Sequence, residues 1–251
     1  MRYLPLVVAF GCAVPSPAPP AEQRPAPLLS VDVPAATPGL NTALIAHVGE
    51  WLAAGKPATV NAEREASLRL TANWIREQRG KSAPANLTFV CTHNSRRSHI
   101  AQLWALAAAR HLGLDHVQTY SGGTEATAFN PRAVAALRTH GFEITEAGEV
   151  LGERNVVYTT QLGPDASLRS FSKTYGDASN PSQGFAAVMV CSEADAACPI
   201  VEGADLRVGL PFIDPKLSDG TPEEAATYLA KSEEIGREIV WMMSMAAAIP
   251  D

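Results

Sequence analysis

The sequence predicts an α/β fold in which a parallel sheet is covered by helices on both faces. From residue 87 onward, compact apolar runs alternate with amphipathic stretches of helical spacing, as in strands joined by helical crossovers. A second observation is a short loop between the first of these runs and the first of these helices, which begins at Cys91 and ends at Arg97. The apolar content of 46% in 251 residues is sufficient for a sizeable core.

The charge and the hydropathy of the chain exclude two classes of function. The formal net charge is -6, and the only basic cluster is Arg96-Arg97, whereas a sequence-independent nucleic-acid binder needs a basic face. No apolar run reaches the roughly 18 to 20 residues that a membrane-spanning helix requires. We therefore expect neither a nucleic-acid partner nor a transmembrane segment.

The N-terminal residues 1–12 begin with a charged start and an apolar run, and they end in Gly11-Cys12. A small residue directly before a cysteine is typical of a bacterial lipoprotein signal, in which Cys12 becomes an acylated N-terminus and a lipid anchor. Such a signal would make the protein a membrane-anchored lipoprotein. The alternative is a leader without this role, which would leave the protein in the cytoplasm. Residues 13–38 contain eight prolines, which predicts an extended tether.

Residues 39–80 carry apolar side chains at helical spacing. They predict two helices joined near Gly55-Lys56-Pro57, as an N-terminal helical extension that packs on the catalytic domain or forms a small cap. The catalytic domain is expected to occupy residues 87–251. Its predicted elements, in order, are a strand at Leu87–Val90, a helix at Ser98–His111, a strand at Val117–Tyr120, a helix from Asn130-Pro131 to Gly141, strands at Phe185–Val190 and Leu206–Phe212, and a last helix that opens with a capping box at Thr221 and runs toward Ala248.

Residues 143–184 do not fit this alternation, because they are rich in glycine, serine, aspartate and asparagine. They are expected to form an insertion with one strand at Val156–Thr160. A segment of this length suggests a substrate-selecting or partner-docking role.

The loop after the first strand has the features of an oxyanion site. A Cys-x5-Arg spacing alone is weak evidence for such a site. Here, however, the cysteine ends an apolar strand, and Arg97 and Ser98 open a helix whose N–H groups are expected to point into the loop. That field and the guanidinium favour the thiolate, the nucleophilic form of Cys91. Arg97 would grip two anion oxygens. The alternative is that Cys91 is a buried small hydrophobe and both arginines are solvated. The residues expected to bind substrate are Thr92, His93, Asn94, Ser95, Arg96 and Ser98.

Two segments resemble the family of low-molecular-weight protein tyrosine phosphatases and thioredoxin-coupled arsenate reductases. Residues 90–98 resemble the phosphate loop of that family, and residues 120–133 are similar to the segment that follows its first helix. The resemblance extends over roughly residues 87–145 and 185–245. It implies a four-stranded parallel sheet with flanking helices. This chain departs from the family pattern at His93, where the family often has glycine, and at Arg96, where many members have a second cysteine.

Both activities of that family need an acid that protonates the departing oxygen. The segment Phe212-Ile213-Asp214-Pro215 resembles the Asp-Pro element that supplies it, so Asp214 is the candidate acid. A plain Asp-Pro turn is the alternative reading, and Asp219 is a second candidate acid that looks more like part of a turn. Neither a cofactor nor a metal is expected.

A second cysteine segment separates the two activities. Residues 191–199, which include Cys191 and Cys198, resemble the redox segment of thioredoxin-coupled arsenate reductases, and phosphatases do not need it. The resemblance implies that Cys91 attacks arsenate, that Cys191 attacks Cys91, and that Cys198 then passes a disulfide to thioredoxin. A short helix from Ser192 to Ala197 would hold the two cysteines about 10 Å apart, too far for a disulfide unless it unwinds. A metal site and a static disulfide are the alternatives.

The sequence therefore predicts a thiol-dependent arsenate reductase with a thioredoxin-like reductant as its partner. The alternative is a phosphatase that hydrolyses phosphomonoesters through a phosphocysteine at Cys91. A third hypothesis, a non-catalytic oxyanion-binding module, would be expected to lack Arg97 or Asp214, and this sequence has both.

Overall fold

The computed structural model describes residues 40–163, 166–198 and 200–248. The predicted lipoprotein signal at residues 1–12, with Cys12, and the proline-rich tether at residues 13–38 lie outside the described residues. Within the described ranges, no helix combines the length and the hydropathy that crossing a membrane requires.

The elements follow one another in the order that the alternating pattern predicts, with additional strands in the middle. The helices are α1 (Thr42–Ala54), α2 (Ala62–Gly80), α3 (Arg97–His111), α4 (Pro131–Thr139), α5 (Ser192–Ala197) and α6 (Glu224–Ala247). The strands are β1 (Ala85–Cys91), β2 (Val117–Gly123), β3 (Glu143–Leu151), β4 (Asn155–Gly163), β5 (Ala166–Ser170), β6 (Phe185–Met189) and β7 (Ala204–Gly209).

The central sheet has four strands in the order β2-β1-β6-β7, and each neighbouring pair is parallel. Helices flank this sheet, so the predicted fold class is confirmed. Strand β6 is buried along its whole length, which explains why it reads as a continuous apolar run rather than an alternating one. Because all four strands run in the same direction, their carboxyl ends meet at one edge of the sheet.

The N-terminal helices α1 and α2 form part of the same hydrophobic core as the sheet. Trp51 of α1 lies with its ring centroid 4.5 Å from that of Trp104 in α3, and Leu44 and Val48 are fully buried beside it. The helical extension is therefore packed on the catalytic domain.

Arg64 connects α2 to two other parts of the molecule. Its Nε lies 2.5 Å from a carboxylate oxygen of Glu238 in α6, and its Nη1 donates to the carbonyl of Pro211 at 2.9 Å. The guanidinium also lies 4.3 Å from the ring centroid of Phe212. The extension thus supports the segment that leads from β7 to Asp214.

The expectation of one strand in residues 143–184 was wrong, because this region contains the three-stranded antiparallel sheet β3-β4-β5. The predicted strand at Val156–Thr160 lies within β4. Strand β3 escaped the sequence pattern because Ile144 is its only buried residue, so it shows no apolar alternation. Its backbone is held by pairing with β4, which no local pattern reveals.

The predicted capping box at Thr221 is also absent. Helix α6 begins at Glu224, and the Thr221 hydroxyl donates to the carbonyl of Ser218 instead of capping the helix. The Glu224 carboxylate accepts from the Gly220 N–H at 2.6 Å and pairs with Arg132 at 2.7 Å. Competing partners therefore displace the start of the helix toward the C-terminus.

Two helical glycines give opposite predictions for substitution by alanine. A Cβ at Gly236 of α6 would lie 2.5 Å from Trp51 and 2.9 Å from Trp104, whereas a Cβ at Gly49 of α1 would meet nothing within 4 Å. We expect Gly236→Ala to lower the free energy of unfolding by about 1 to 3 kcal/mol through overpacking. Gly49→Ala should raise it by up to about 1 kcal/mol, since alanine favours the helix. Urea unfolding of both variants measures the difference, and equal effects would contradict the packing of α1 on α6.

Candidate active site

Three predicted site residues meet at the carboxyl edge of the central sheet. Cys91 is the last residue of β1, Cys191 follows β6 by two residues, and Asp214 lies five residues after β7. Strands β1 and β6 are adjacent, with Val90 paired to Met189. The parallel topology therefore places both thiols at the ends of neighbouring strands, where α/β sheets hold their ligands.

The loop from Cys91 to Arg97 turns its carbonyl groups outward. The donors that receive them are Thr124 N for Cys91 O at 3.1 Å, Glu125 N for Thr92 O at 2.9 Å, Ser172 Oγ for His93 O at 2.9 Å and Asn130 N for Ser95 O at 2.9 Å. In a trans peptide the N–H points opposite to the carbonyl, so the following N–H groups point into the loop. Within the described residues, none of the backbone N–H groups of residues 92–96 donates a hydrogen bond. N–H groups in this arrangement are suited to bind an anion, and the loop of residues 91–97 is called the cradle below.

Asn94 holds the shape of this cradle. Its φ of 44° lies in the left-handed region, which is unfavourable for a residue other than glycine, and its side chain is bonded on both sides. The Oδ1 accepts from the Lys173 N–H at 2.9 Å, and the Nδ2 donates to Ser98 Oγ at 2.8 Å. Ser98 Oγ in turn lies 3.1 Å from Cys91 Sγ. Because Ser98 already accepts a hydrogen bond from Asn94, its own O–H can be donated to the sulfur.

Arg97 lies beneath the cradle with only 4% of its surface exposed. Its Nη1 donates to the carbonyl of Phe212 at 2.9 Å, and its Nη2 lies 2.8 Å from Asp214 Oδ2. Its Nε is buried and has no hydrogen-bond partner among the described residues. A buried donor without a partner is costly, and an oxyanion in the cradle would supply the acceptor.

Asp214 combines a structural bond with its contact to Arg97. Its Oδ1 accepts from the Lys216 N–H at 3.0 Å and so caps the short 3-10 turn of residues 215–218. Its side chain remains about one-quarter exposed. The carboxyl group is therefore held at the rim of the cradle, next to the guanidinium that faces it.

Two predicted substrate-binding side chains, those of Arg96 and His93, bond to other side chains of the protein. Arg96 donates through Nε to the Tyr228 hydroxyl at 2.9 Å, and Tyr228 donates to Asp219 at 2.7 Å. Burial together with the bond to Asp219 raises the pKa of Tyr228 to about 12. His93 pairs with the exposed Glu125 at 2.9 Å. The Arg96 guanidinium also lies 3.8 Å from Asp214 and 3.7 Å from Asp219, so it borders the candidate acid, while Asp219 bonds Tyr228.

Cys191 and Cys198 lie at the two ends of α5, which has the predicted bounds Ser192–Ala197. The three cysteines in the described part of the chain are all outside disulfides, so the static-disulfide alternative does not describe this structure. Cys191 Sγ accepts from the Ala194 N–H at 3.3 Å and lies 3.5 Å from Thr92 Oγ1. Thr92 therefore links the thiol of β6 to the loop of β1.

The Cys191 thiol is buried, and this burial raises its pKa. Hydrogen bonds from Thr92 and from the Ala194 N–H act in the opposite direction, as does the charge of Arg97. Cys191 is thus kept mainly as a thiol at neutral pH, in the field of groups that stabilise a thiolate.

Sequence patterns did not indicate Asn155, Ser172, Lys173, Tyr228 or Arg207, although each contacts the loop or α5 or holds a residue that does. None belongs to a spaced motif, and each reaches the site through tertiary pairing. Lys173 is the least expected, because it is a lysine with only 7% of its surface exposed directly behind the cradle.

Comparison with known proteins identifies the family that this chain resembles. Residues 86–155 match the family model described as low molecular weight phosphotyrosine protein phosphatase. An arsenate reductase of Bacillus licheniformis is 30% identical over 152 residues, which cover 60% of this chain and 89% of the relative. Arsenate reductase 2 of Staphylococcus epidermidis is 31% identical over 127 residues, which cover 51% of this chain and 76% of that protein.

Among solved structures, a low-molecular-weight phosphotyrosine phosphatase of Vibrio cholerae is similar to this chain. The match has a TM-score of 0.44 and 15% sequence identity, and it covers 64% of this chain and 95% of that one.

The burial of Lys173 makes the stability of the protein depend on pH. Burial lowers the pKa of Lys173, Asp177 opposes the shift and Arg169 adds to it, and together they bring the pKa from 10.5 to about 8. The folded protein therefore carries a penalty for the charged amine that is fully present below pH 8 and is relieved as the pH rises toward 10.5. The shift corresponds to about 3 kcal/mol.

We expect Lys173→Met to raise the free energy of unfolding relative to the native chain at pH 7, and to lose most of this advantage at pH 10. Denaturant titrations at the two pH values measure the difference. The buried His99 beside Lys173 has a pKa well below its ordinary range, so it stays neutral at both values and does not add to the effect. A variant whose advantage is the same at both pH values would show that folding does not lower the pKa of Lys173.

Proposed function

Because this chain belongs to the family of low-molecular-weight protein tyrosine phosphatases and arsenate reductases, we propose that it reduces arsenate with three cysteines that act in turn. The observation that carries the proposal is the position of Cys191 and Cys198 at the two ends of α5, beside the strand that ends at Cys91. Hydrolysis of a phosphate ester needs the nucleophile of the loop but no further thiol. Reduction of arsenate needs two electrons, which a pair of thiols provides.

In the first step, arsenate occupies the cradle and accepts hydrogen bonds from the inward N–H groups and from Arg97. The Cys91 thiolate attacks arsenic, and one oxygen leaves. Asp214, at the rim of the cradle, protonates this oxygen so that it departs as water. The bond of Arg97 to Asp214, which is 2.8 Å long in this structure, is exchanged for bonds to the anion, and the carboxyl group is then available for this role.

In the second step, Cys191 attacks Cys91 Sγ and forms a disulfide with it. The electron pair of the sulfur–arsenic bond stays with arsenic, which is reduced to arsenite and leaves. The raised pKa of Cys191 means that this step speeds up as the pH increases above neutral, because more of the thiol is then ionised. Thr92 contacts the Cys191 sulfur at 3.5 Å and stabilises the thiolate that attacks.

In the third step, Cys198 attacks Cys191, which releases the Cys91 thiolate and leaves a Cys191–Cys198 disulfide. Cys191 and Cys198 lie seven positions apart, which along a helix separates their Cα atoms by about 10 Å, whereas a disulfide requires less than about 7 Å. Helix α5 must therefore unwind for the bond to form. An external dithiol of the thioredoxin type then reduces the disulfide.

The match of residues 86–155 to the phosphatase family model favours a second candidate function. In this alternative the phosphate of an ester occupies the cradle, Cys91 forms a phosphocysteine, and Asp214 protonates the leaving alcohol. Water then hydrolyses the intermediate. The same loop serves both reactions, so the two candidates differ only in the need for Cys191 and Cys198.

The test uses the purified chain with arsenate, thioredoxin, thioredoxin reductase and NADPH, in parallel with hydrolysis of p-nitrophenyl phosphate. We expect arsenate to drive NADPH oxidation over many turnovers, and Cys198→Ser to stop the reaction after one turnover. The same variant should hydrolyse p-nitrophenyl phosphate at the native rate, because Cys198 lies at the far end of α5 from the cradle.

Cys91→Ser is the control that should abolish both reactions. If phosphate ester is hydrolysed while arsenate fails to oxidise NADPH and Cys198 is dispensable, the phosphatase is correct and the reductase is not.

The unwinding of α5 leads to a second prediction, which concerns Arg207 of β7. Arg207 donates to the carbonyl of Cys198 at 2.9 Å and to the carbonyl and carboxylate of Asp195 at 2.6 and 2.7 Å. These bonds hold the C-terminal end of α5 and must break before Cys198 reaches Cys191. We expect Arg207→Ala to accelerate formation of the Cys191–Cys198 disulfide by roughly tenfold, since one charge-assisted bond contributes about 1.5 kcal/mol or more.

Quenched single-turnover reactions with arsenate, followed by mass spectrometry of the alkylated cysteines, measure this rate. Arg237→Ala is a suitable control, because Arg237 is also a partly buried arginine in an ion pair but lies on α6. An Arg207→Ala rate equal to that of Arg237→Ala would show that the bonds of Arg207 to α5 do not limit formation of the disulfide.

A further inference from the structure

The carbonyl of His93 is held differently from the other outward carbonyls of the loop. Cys91 O, Thr92 O and Ser95 O each accept from a backbone N–H of the segment that follows β2. His93 O instead accepts from two hydroxyl groups, Ser172 Oγ at 2.9 Å and Thr127 Oγ1 at 3.2 Å. The orientation of the peptide between His93 and Asn94 therefore depends on side chains.

Ser172 is fixed from both directions. Its backbone N–H donates to Asn155 Oδ1 at 3.0 Å, and its carbonyl accepts from Asn155 Nδ2 at 2.7 Å. Its Oγ accepts from the Thr127 N–H at 2.8 Å, so its own hydrogen is directed at His93 O. Ser172 has only 2% of its surface exposed, and water does not compete for these bonds.

Lys173, the residue after Ser172, also bonds to the loop. The Lys173 N–H bonds the Asn94 side chain at 2.9 Å, so two consecutive residues hold the peptide before Asn94 and the side chain of Asn94 itself. Asn94 is the loop residue with positive φ, which gives its backbone an intrinsic tendency to relax. Release of the His93 carbonyl would let the peptide rotate and turn the Asn94 N–H away from the anion.

We propose that Ser172, held by Asn155, is a positioning residue that keeps the Asn94 N–H directed at the bound oxyanion. The sheet β3-β4-β5 is then a brace for the anion-binding loop, and residues 156–170 and Ser172 itself lie beyond the part of the chain that matches the family model. The inference rests on the proposed function to the extent that the loop binds a tetrahedral oxyanion, whether arsenate or phosphate.

The experiment compares Ser172→Ala with Ser170→Ala in the full chain. Ser170 is equally buried, at 2%, and belongs to the same sheet, but its hydroxyl bonds Thr160 Oγ1 at 3.2 Å and does not contact the loop. Calorimetric titration with inorganic phosphate, and with arsenate when Cys91 is also replaced by serine so that no reaction follows, gives the affinity of the cradle. We expect Ser172→Ala to raise the Kd for both anions roughly tenfold, which corresponds to the loss of one hydrogen bond to a charged group. Ser170→Ala should bind like the native chain even if its stability falls equally.

Two further readouts separate positioning from general destabilisation. Ser172→Thr keeps the hydroxyl and should restore anion affinity. With p-nitrophenyl phosphate, Ser172→Ala should raise KM roughly tenfold while kcat changes little, because the Asn94 N–H contacts the oxyanion in ground state and transition state alike.

Native affinity in Ser172→Ala, or an equal loss in Ser170→Ala, would refute the brace while leaving the proposed function intact. If the native chain binds neither phosphate nor arsenate, the oxyanion loop is wrong, and the proposed function and the brace fall together.

Discussion

The site depends on the fixed geometry of the peptide bond. A loop that directs its N–H groups at an anion must turn its carbonyls outward, and each of those carbonyls needs a donor. The segment after β2 supplies three donors through its backbone, and Ser172, two residues after the inserted sheet, supplies another. Glycine at position 123 is part of the same requirement, because a Cβ there would lie 2.2 Å from the carbonyl of Glu125 and 2.6 Å from that of Thr92. These contacts together keep four peptides of the loop in one orientation.

The two sides of the site meet opposite demands. The loop of Cys91 has to stay rigid, and its bonds join it to the segments that follow β2 and β5 and through Arg97 to Phe212. Helix α5 has only six residues, with Arg207 bonded to its C-terminal end and Glu193 3.7 Å from Arg97 near its start. So short a helix gains little stability from its own hydrogen bonds, and its unwinding costs less than that of a long helix. The proposed stepwise thiol relay requires both properties, a rigid loop and beside it a short helix that can unwind.

The parts of the site that sequence could predict are those specified locally. The loop lies between an apolar strand and the helix that begins at Arg97, and α5 has the bounds that its two cysteines suggested. Strand β3 was missed because it is exposed and is stabilised by pairing with β4. Ser172 and Asn155 were missed because their contacts join residues up to 79 positions apart. The side chain of Arg96 was assigned to the anion, but its best acceptor is Tyr228 in the distant helix α6.

The contacts of Arg97 explain how a buried arginine is tolerated next to a thiol. Without acceptors, Arg97 would be an uncompensated charge in the core. Asp214 Oδ2 and the Phe212 carbonyl accept hydrogen bonds from it at 2.8 and 2.9 Å. These bonds use the two terminal nitrogens and leave Nε without a partner in the described residues. An anion that binds Nε and displaces Asp214 from Nη2 would gain a bidentate contact and free the carboxyl group in the same event. In the proposed reaction the acid would thus be released only when there is an anion for it to protonate, and proton transfer would be coupled to occupancy of the cradle.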